Sequence, residues 1–244
     1  QRAITLAIMH RPPIYFVHIS CQLGLGRVAD ASLRGRTVYG ETCPQYLLLD
    51  ESYYDRPDWE GAKWVMSPPL REKSNLEALW NGIKSGLIQT VTTDHCPFDF
   101  RGQKDMGGRN DFSKIPNGIP GIQDRMLLMY TYGVTTGRFD AHKWIEVCCS
   151  NPARIFNLYP KKGTIQVGSD ADMVVFDPKH ESVISQKNSL HRVDYSAFEG
   201  FKTKGKITHT TVRGQVIWEN GTFKGKAGFG KYLPRMPHKK NLMS

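Results

Sequence analysis

Short apolar runs alternate with longer mixed segments over roughly the first 165 residues. The run Pro13-Ile14-Tyr15-Phe16-Val17-His18-Ile19-Ser20 is rich in β-branched and aromatic residues and opens on a pair of prolines, which predicts a buried strand. Residues 21–34 carry apolar side chains at Leu23, Val28, Ala31 and Leu33, compatible with a helix that stops before Gly35. Thr37-Val38-Tyr39-Gly40-Glu41 predicts a second strand. Leu76, Leu79, Trp80 and Ile83 fall on one face of a helix over residues 75–85. A third strand is predicted over residues 87–93, stopping at Asp94-His95-Cys96-Pro97. Strand and helix alternating at this spacing imply parallel pairing with crossover helices.

Residues 98–120 are glycine-rich and polar, and a loop of that length in a compact domain is usually functional. Helical pattern resumes over 122–132 and 141–149, and again after Pro152. The texture changes near Gly163. Residues 172–177, 207–213 and 216–219 read as strands, with Asn220-Gly221 as a turn signal before Thr222-Phe223. A β-rich module therefore follows an α/β region, with no internal repeat and no low-complexity tract.

Composition adds limits. The 244 residues are 39% hydrophobic and 23% charged, ordinary for a globular chain and against long-range disorder. No apolar run approaches the roughly 20 residues of a membrane span. The opening at Gln1 lacks the basic-then-apolar layout of a secretory signal, so a mature start or an upstream cut is expected. Five cysteines (Cys21, Cys43, Cys96, Cys148, Cys149) form an odd set without a C-x-x-C pair, which favours a reducing cytoplasm over a disulfide scaffold or a zinc ribbon. The net charge is +10, of which +9 lies in residues 201–244. Those cations lack interleaved stacking aromatics and a binding module, so a solvated or subunit-contacting tail is preferred to a nucleic-acid site.

Two reactive side chains stand where parallel α/β folds place active sites, at the carboxyl ends of strands. His18 follows the first apolar run and Asp94 ends the third. An imidazole and a carboxylate suit zinc. Each also has a purely structural reading, His18 as a hydrogen-bonded residue near a strand end and Asp94 as a cap of the following turn. No phosphate-binding glycine loop and no G-x-S-x-G elbow occur, against an NTPase and a serine hydrolase. A thiol nucleophile at Cys96 has no identifiable base, and its neighbour His95 points to the opposite face of an extended strand.

Several motifs follow one another in order: Val17-His18-Ile19-Ser20-Cys21, Tyr39-Gly40-Glu41-Thr42-Cys43-Pro44-Gln45-Tyr46-Leu47, Ser67-Pro68-Pro69-Leu70-Arg71, Thr93-Asp94-His95-Cys96-Pro97-Phe98, Arg101-Gly102-Gln103-Lys104, Ile115-Pro116-Asn117-Gly118, Lys162-Gly163-Thr164-Ile165 and Val167-Gly168-Ser169-Asp170-Ala171-Asp172. With these the chain closely resembles dihydropyrimidinases and D-hydantoinases, cyclic-amide hydrolases of the amidohydrolase superfamily, from near Gln1 to about Tyr232.

The resemblance implies an α/β fold, a (β/α)8 TIM-type barrel followed by a small β-sandwich, with two zinc ions bridged by a carboxylated lysine, in a cytoplasmic homotetramer. It implies that His18 ligates one metal, that Asp94 ligates the other and accepts the proton, and that backbone groups at Ser67 and Asn117 hold the ring amide. The expected reaction is ring opening of dihydropyrimidines or 5-substituted hydantoins to N-carbamoyl amino acids by a metal-activated hydroxide. Its partners are then a small cyclic amide and its own copies, with neither membrane nor nucleic acid. The family's H-x-H pair, bridging lysine and a further histidine all lie upstream of the position of His18, and no counterpart occurs in this chain. The expectation is a carboxyl-terminal half: the last barrel strands over 1–165, part of the sandwich over 166–232 and a basic tail over 233–244, inactive alone and active in the full-length parent. The rivals are an allantoinase, a dihydroorotase, or a non-catalytic scaffold paralogue such as the collapsin-response mediator proteins, which lack equivalents of His18 and Asp94.

Overall fold

The three apolar runs of the first half pair side by side as a parallel sheet. In a computed structural model, described over residues 2–7, 12–235 and 237, β1 (Ile14–Phe16), β2 (Val38–Thr42) and β3 (Thr90–Val91) run in the order β1-β2-β3. Ile14 faces Val38, and Glu41 faces Thr90. The outer strands are shorter than the apolar runs that predict them. The chain leaves the extended conformation at His18 and Asp94, both with positive φ, and pairing ends before each.

The chain divides into two units, Gln1–Met129 with Val183–Lys202, and Tyr130–Ser182 with Thr203–Ser244. His10, His238, Lys239 and Lys240, and most of the tail over 233–244, lie outside the described residues.

In the first unit, α1 (Arg2–Ala7) buries nothing. α2 (Gln22–Leu33) buries Leu25, Val28 and Ala31 on one stripe, and the Cys21 Sγ caps it by accepting the Gly24 N–H at 3.4 Å. α3 (Pro44–Leu48) starts on a proline, which suits a first helical turn with no use for that N–H. α4 (Ser74–Lys84) buries Leu79, Trp80 and Ile83, and the Trp80 indole N–H donates to the Leu47 carbonyl at 3.0 Å. With Ile88 and Val91 these side chains make a closed core, each contributing about 1.5–3 kcal/mol by burial. The stretch between α4 and α5 (Arg125–Met129) holds a π turn at Phe100–Lys104 and a 3-10 turn at Phe112–Lys114. Two 3-10 helices, Glu51–Asp55 and Glu60–Trp64, precede it. The late segment joins this unit through Tyr195, whose hydroxyl donates to the Lys63 carbonyl at 2.9 Å, and through the Ala197 carbonyl, which accepts from the Trp64 indole at 3.0 Å.

In the second unit, α6 (Ala141–Ile145) and α7 (Asn151–Ile155) flank a π turn, with Asp140 capping α6. A four-stranded sheet follows in the order β4 (Val174–Val183), β5 (Lys202–Val212), β6 (Gln215–Glu219), β7 (Thr222–Phe223). The Ser182 and Thr203 hydroxyls meet at 2.9 Å, and the Thr211 N–H donates to the Met173 carbonyl at 2.8 Å, so β4 and β5 run antiparallel. The later pairs are antiparallel too. Asn220 and Gly221 both have positive φ, the conformation that a two-residue hairpin turn requires. The ring of Phe176 packs against Tyr130 and Trp144 at centroid distances of 4.7 and 5.1 Å.

Candidate active site

Because β1, β2 and β3 are parallel, His18 and Asp94 leave the same edge of the sheet, on either side of β2. His18 has φ 40° and Asp94 φ 47°. Few non-glycine residues adopt this region, histidine and aspartate more readily than most, and holding one there costs about 1–3 kcal/mol. Around His18 the restraint is explicit. Its N–H donates to Glu41 Oε1 at 3.2 Å, the Ile19 N–H donates to the Glu41 carbonyl at 2.7 Å, and the Thr42 hydroxyl donates to the Ile19 carbonyl at 2.8 Å. The other Glu41 oxygen accepts the Tyr15 hydroxyl at 2.5 Å, and that hydroxyl lies 2.6 Å from the Thr90 Oγ1. One side chain from each strand thus joins a single network beneath His18. Burial, reinforced by the bond to Glu41, raises the Tyr15 phenol above its ordinary pKa, so it remains a donor.

The approach to Asp94 is held from three directions. The Thr92 N–H donates to the Thr42 carbonyl at 2.9 Å, the Gln45 amide to the Thr93 carbonyl at 3.1 Å and the Arg125 guanidinium to the Val91 carbonyl at 2.7 Å. Beyond it, the Cys96 N–H donates to the Ile119 carbonyl at 3.2 Å, and His95 pairs with Ile119 as an isolated parallel bridge. His95 Nδ1 accepts the Gly121 N–H at 3.1 Å. The ring must keep that nitrogen unprotonated, and burial lowers its pKa in the same sense. The Asp94 side chain is exposed and that of His18 half-buried.

Ser67 and Asn117, 50 residues apart, come together: the serine hydroxyl donates to Asn117 Oδ1 at 3.2 Å. Both are exposed and line a cavity of about 710 Å³ with Tyr54, Trp59, Met66 and Phe112. The loop bearing Asn117 is fixed through Gly118, whose N–H donates to the Val65 carbonyl at 3.1 Å. Gly118 has φ 146°, and a Cβ there would lie 2.3 Å from the Cys96 carbonyl oxygen, so only glycine fits. Backbone bonds therefore run from the segment after Asp94, through residues 118–119, to the segment just before Ser67.

A closed zinc site takes about four protein ligands, and a catalytic one three. Among the described residues no three His, Cys, Asp or Glu side chains gather as a metal site. His18 and Asp94 do not by themselves fit the implied pair of ions. The sequence reading missed Tyr15, Glu41 and Thr90 as supports of the site. The available signal was a carboxylate inside a predicted strand, since a charge that the sheet encloses must find donors.

The model of the amidohydrolase family matches residues 53–217. The D-hydantoinase of Geobacillus stearothermophilus is 47% identical over 234 residues, covering 96% of this chain and 50% of that protein. The dihydropyrimidinase from Brevibacillus agri NCHU1002, known by crystal structure, superposes with a TM-score of 0.96 at 45% identity, covering 98% of this chain and 52% of that one. The L-hydantoinase (dihydropyrimidinase) from Arthrobacter aurescens superposes with a TM-score of 0.84 at 32% identity over 95% of this chain and 50% of that one. The chain spans about half the length of the curated relatives it matches. On this match, and on the amidohydrolase fold it shares with these structures, the chain belongs to the amidohydrolase family.

Proposed function

We propose that the full-length protein carrying this segment hydrolyses cyclic amides, opening 5,6-dihydropyrimidine or 5-substituted hydantoin rings to N-carbamoyl amino acids. In this reading Asp94 takes a proton from the attacking water and returns it to the ring nitrogen as the carbon–nitrogen bond breaks. Main-chain groups at Ser67 and Asn117 hold the ring amide. General acid–base catalysis of this kind contributes about 10²–10⁴-fold. The reading keeps two zinc ions for the full-length protein, one ligated by His18 and the other by Asp94, with the remaining donors and a carboxylated lysine supplied from outside residues 1–244. It also keeps a homotetramer, a cytoplasmic location, a (β/α)8 barrel whose last strands end near residue 165, and a β-sandwich portion over 166–232 with a basic tail over 233–244. Among the described residues no helix is long and apolar enough to cross a membrane.

The observation that carries the reading is the run of backbone bonds that ties the segment after Asp94 to Asn117 and Ser67. In this reading those bonds join the proton acceptor and the amide cradle in one frame. The relatives described above are named for hydantoins and dihydropyrimidines, and no observation favours the allantoinase, dihydroorotase or scaffold readings. The test is ring opening of dihydrouracil and of 5-substituted hydantoins by the full-length protein, read as N-carbamoyl product. Turnover of neither ring class would sink the reading. Residues 1–244 alone, given the same substrates and zinc, are expected to be inactive.

A further inference from the structure

Lys104 is the one lysine among the described residues with no exposed surface. Among the described residues no carboxylate accepts from it. Its Nζ donates to the Val65 carbonyl at 2.8 Å and to the Ala62 carbonyl at 3.2 Å. The Ala62 oxygen also accepts the Val65 N–H at 3.2 Å, and Val65 is the C-cap of the 3-10 helix Glu60–Trp64, so the amine sits at the carboxyl end of that helix, where a cation is favoured. The Lys104 carbonyl accepts the Trp59 indole N–H at 3.3 Å, so the same residue holds both ends of that helix.

The Val65 carbonyl has a second donor, the Gly118 N–H at 3.1 Å. Ser67 lies two residues beyond Val65, and Asn117 immediately precedes Gly118. The Lys104 amine therefore meets the two halves of the Ser67–Asn117 pair at a single oxygen. Burial pushes the pKa of the ammonium down to about 8, with Cys96 acting in the opposite sense. A fold that keeps a lysine here despite its desolvation gains something other than an ion pair.

We propose that Lys104 is a positioning residue for substrate, which sets the spacing of the Ser67 and Asn117 backbone groups by clamping the Val65 carbonyl between them. Lys104 touches no reacting atom. It acts through residues 62–65 and 118 on the cradle that receives the ring amide, and so deepens the reading above and rests on it. Loss of the amine loosens the cradle, while the strand end that leads into Asp94 keeps its own bonds from Thr92 to Thr42 and from Gln45 and Arg125 to Thr93 and Val91.

The experiment uses the full-length protein with Lys104→Met, which keeps the length of the side chain and removes the donor, and Lys104→Gln, which keeps a neutral donor. Steady-state kinetics on dihydrouracil and on a 5-substituted hydantoin are measured with bound zinc and thermal stability. The expected result is a KM at least tenfold higher for Lys104→Met with kcat within threefold and zinc content unchanged, and an intermediate KM for Lys104→Gln. A KM within twofold of wild type in both variants overturns the inference. So does a parallel fall in kcat and zinc content, or failure of both variants to fold, since either makes Lys104 a general structural group. A wild-type protein inert toward both rings removes the functional reading itself, and this inference with it.

Discussion

β2 in the first unit lies between two partners and β4 in the second stands at the edge of its sheet beside β5 alone, and every residue of β2 is buried while none of β4 is. β2 sits between two parallel neighbours with helices against the sheet, and even its polar residues Glu41 and Thr42 are enclosed. They must then be hydrogen-bonded, because an unpartnered buried polar group costs about 1–3 kcal/mol. The bonds they make fix His18 and Ile19. β4 leaves Val174 and Val175 half exposed, at 51% and 55%, and its polar groups face few such demands. The comparison teaches where chemistry can be held. In the parallel sheet enclosure forces polar side chains into defined partnerships, and those partnerships reach the strand ends where the candidate site stands. At the edge of the antiparallel sheet, β4 meets few such demands, and the side chain it commits to packing is Phe176, against Tyr130 and Trp144.

That contrast can be broken most sharply at its functional end. In the full-length protein Asp94→Asn is expected to lower kcat/KM by about 10³-fold, whereas Asp172→Asn in the second unit, which loses its pairing with Lys162, is expected to leave it within about twofold. Equal losses would show that the site is not confined to the parallel sheet. The next largest effect concerns packing. Leu79, fully buried, should cost about 2–5 kcal/mol of unfolding free energy when cut to alanine, against less than about 0.5 kcal/mol for Val174→Ala, both read by urea denaturation.

A third measurement sharpens the view that enclosure dictates protonation. Burial holds the Asp124 carboxyl up at about 6, against 3.8 for an unburied one. The native state therefore favours the protonated acid. That contribution is complete below about pH 4 and is lost as pH rises through about 6, so at neutral pH the ionised group destabilises the fold. Asp124→Asn is expected to stabilise the protein at pH 7 by roughly 1–3 kcal/mol, with the gain shrinking toward pH 4. A gain independent of pH would rule out titration of Asp124 as the cause. The smallest effect belongs to an exposed pair on α2: removing Asp30 from Arg27, 3.2 Å away, should change stability by less than about 0.5 kcal/mol.

Much of the frame was legible in the sequence. Apolar runs separated by helical patterns implied the parallel pairing, the face of α4 was read correctly through Leu79, Trp80 and Ile83, and Asn220-Gly221 marked its hairpin. His18 and Asp94 were legible as strand-end residues, and the motifs around them carried the family. The strand lengths were not legible, because composition continues past the point where a left-handed residue ends the ladder. The short helices at 51–55 and 60–64 were not legible either, since a turn or two of 3-10 helix has too few residues to establish a period. Nothing local announces that Lys104 is enclosed. Its acceptors lie about 40 residues earlier, and a lysine in a glycine-rich loop reads as solvated until the fold brings those carbonyls to it.

The joint at Val65 is made by a main-chain oxygen, and this bears on how the cradle can drift over generations. Exchange of the valine side chain leaves that acceptor in place, so position 65 can change while the joint persists. The two donors are under a different constraint: one is a terminal amine that only lysine supplies, and the other sits on the one residue type without a Cβ. Inheritance at this spot is therefore expected to be lax for the atom shared by both bonds and strict for the distant residues that reach it.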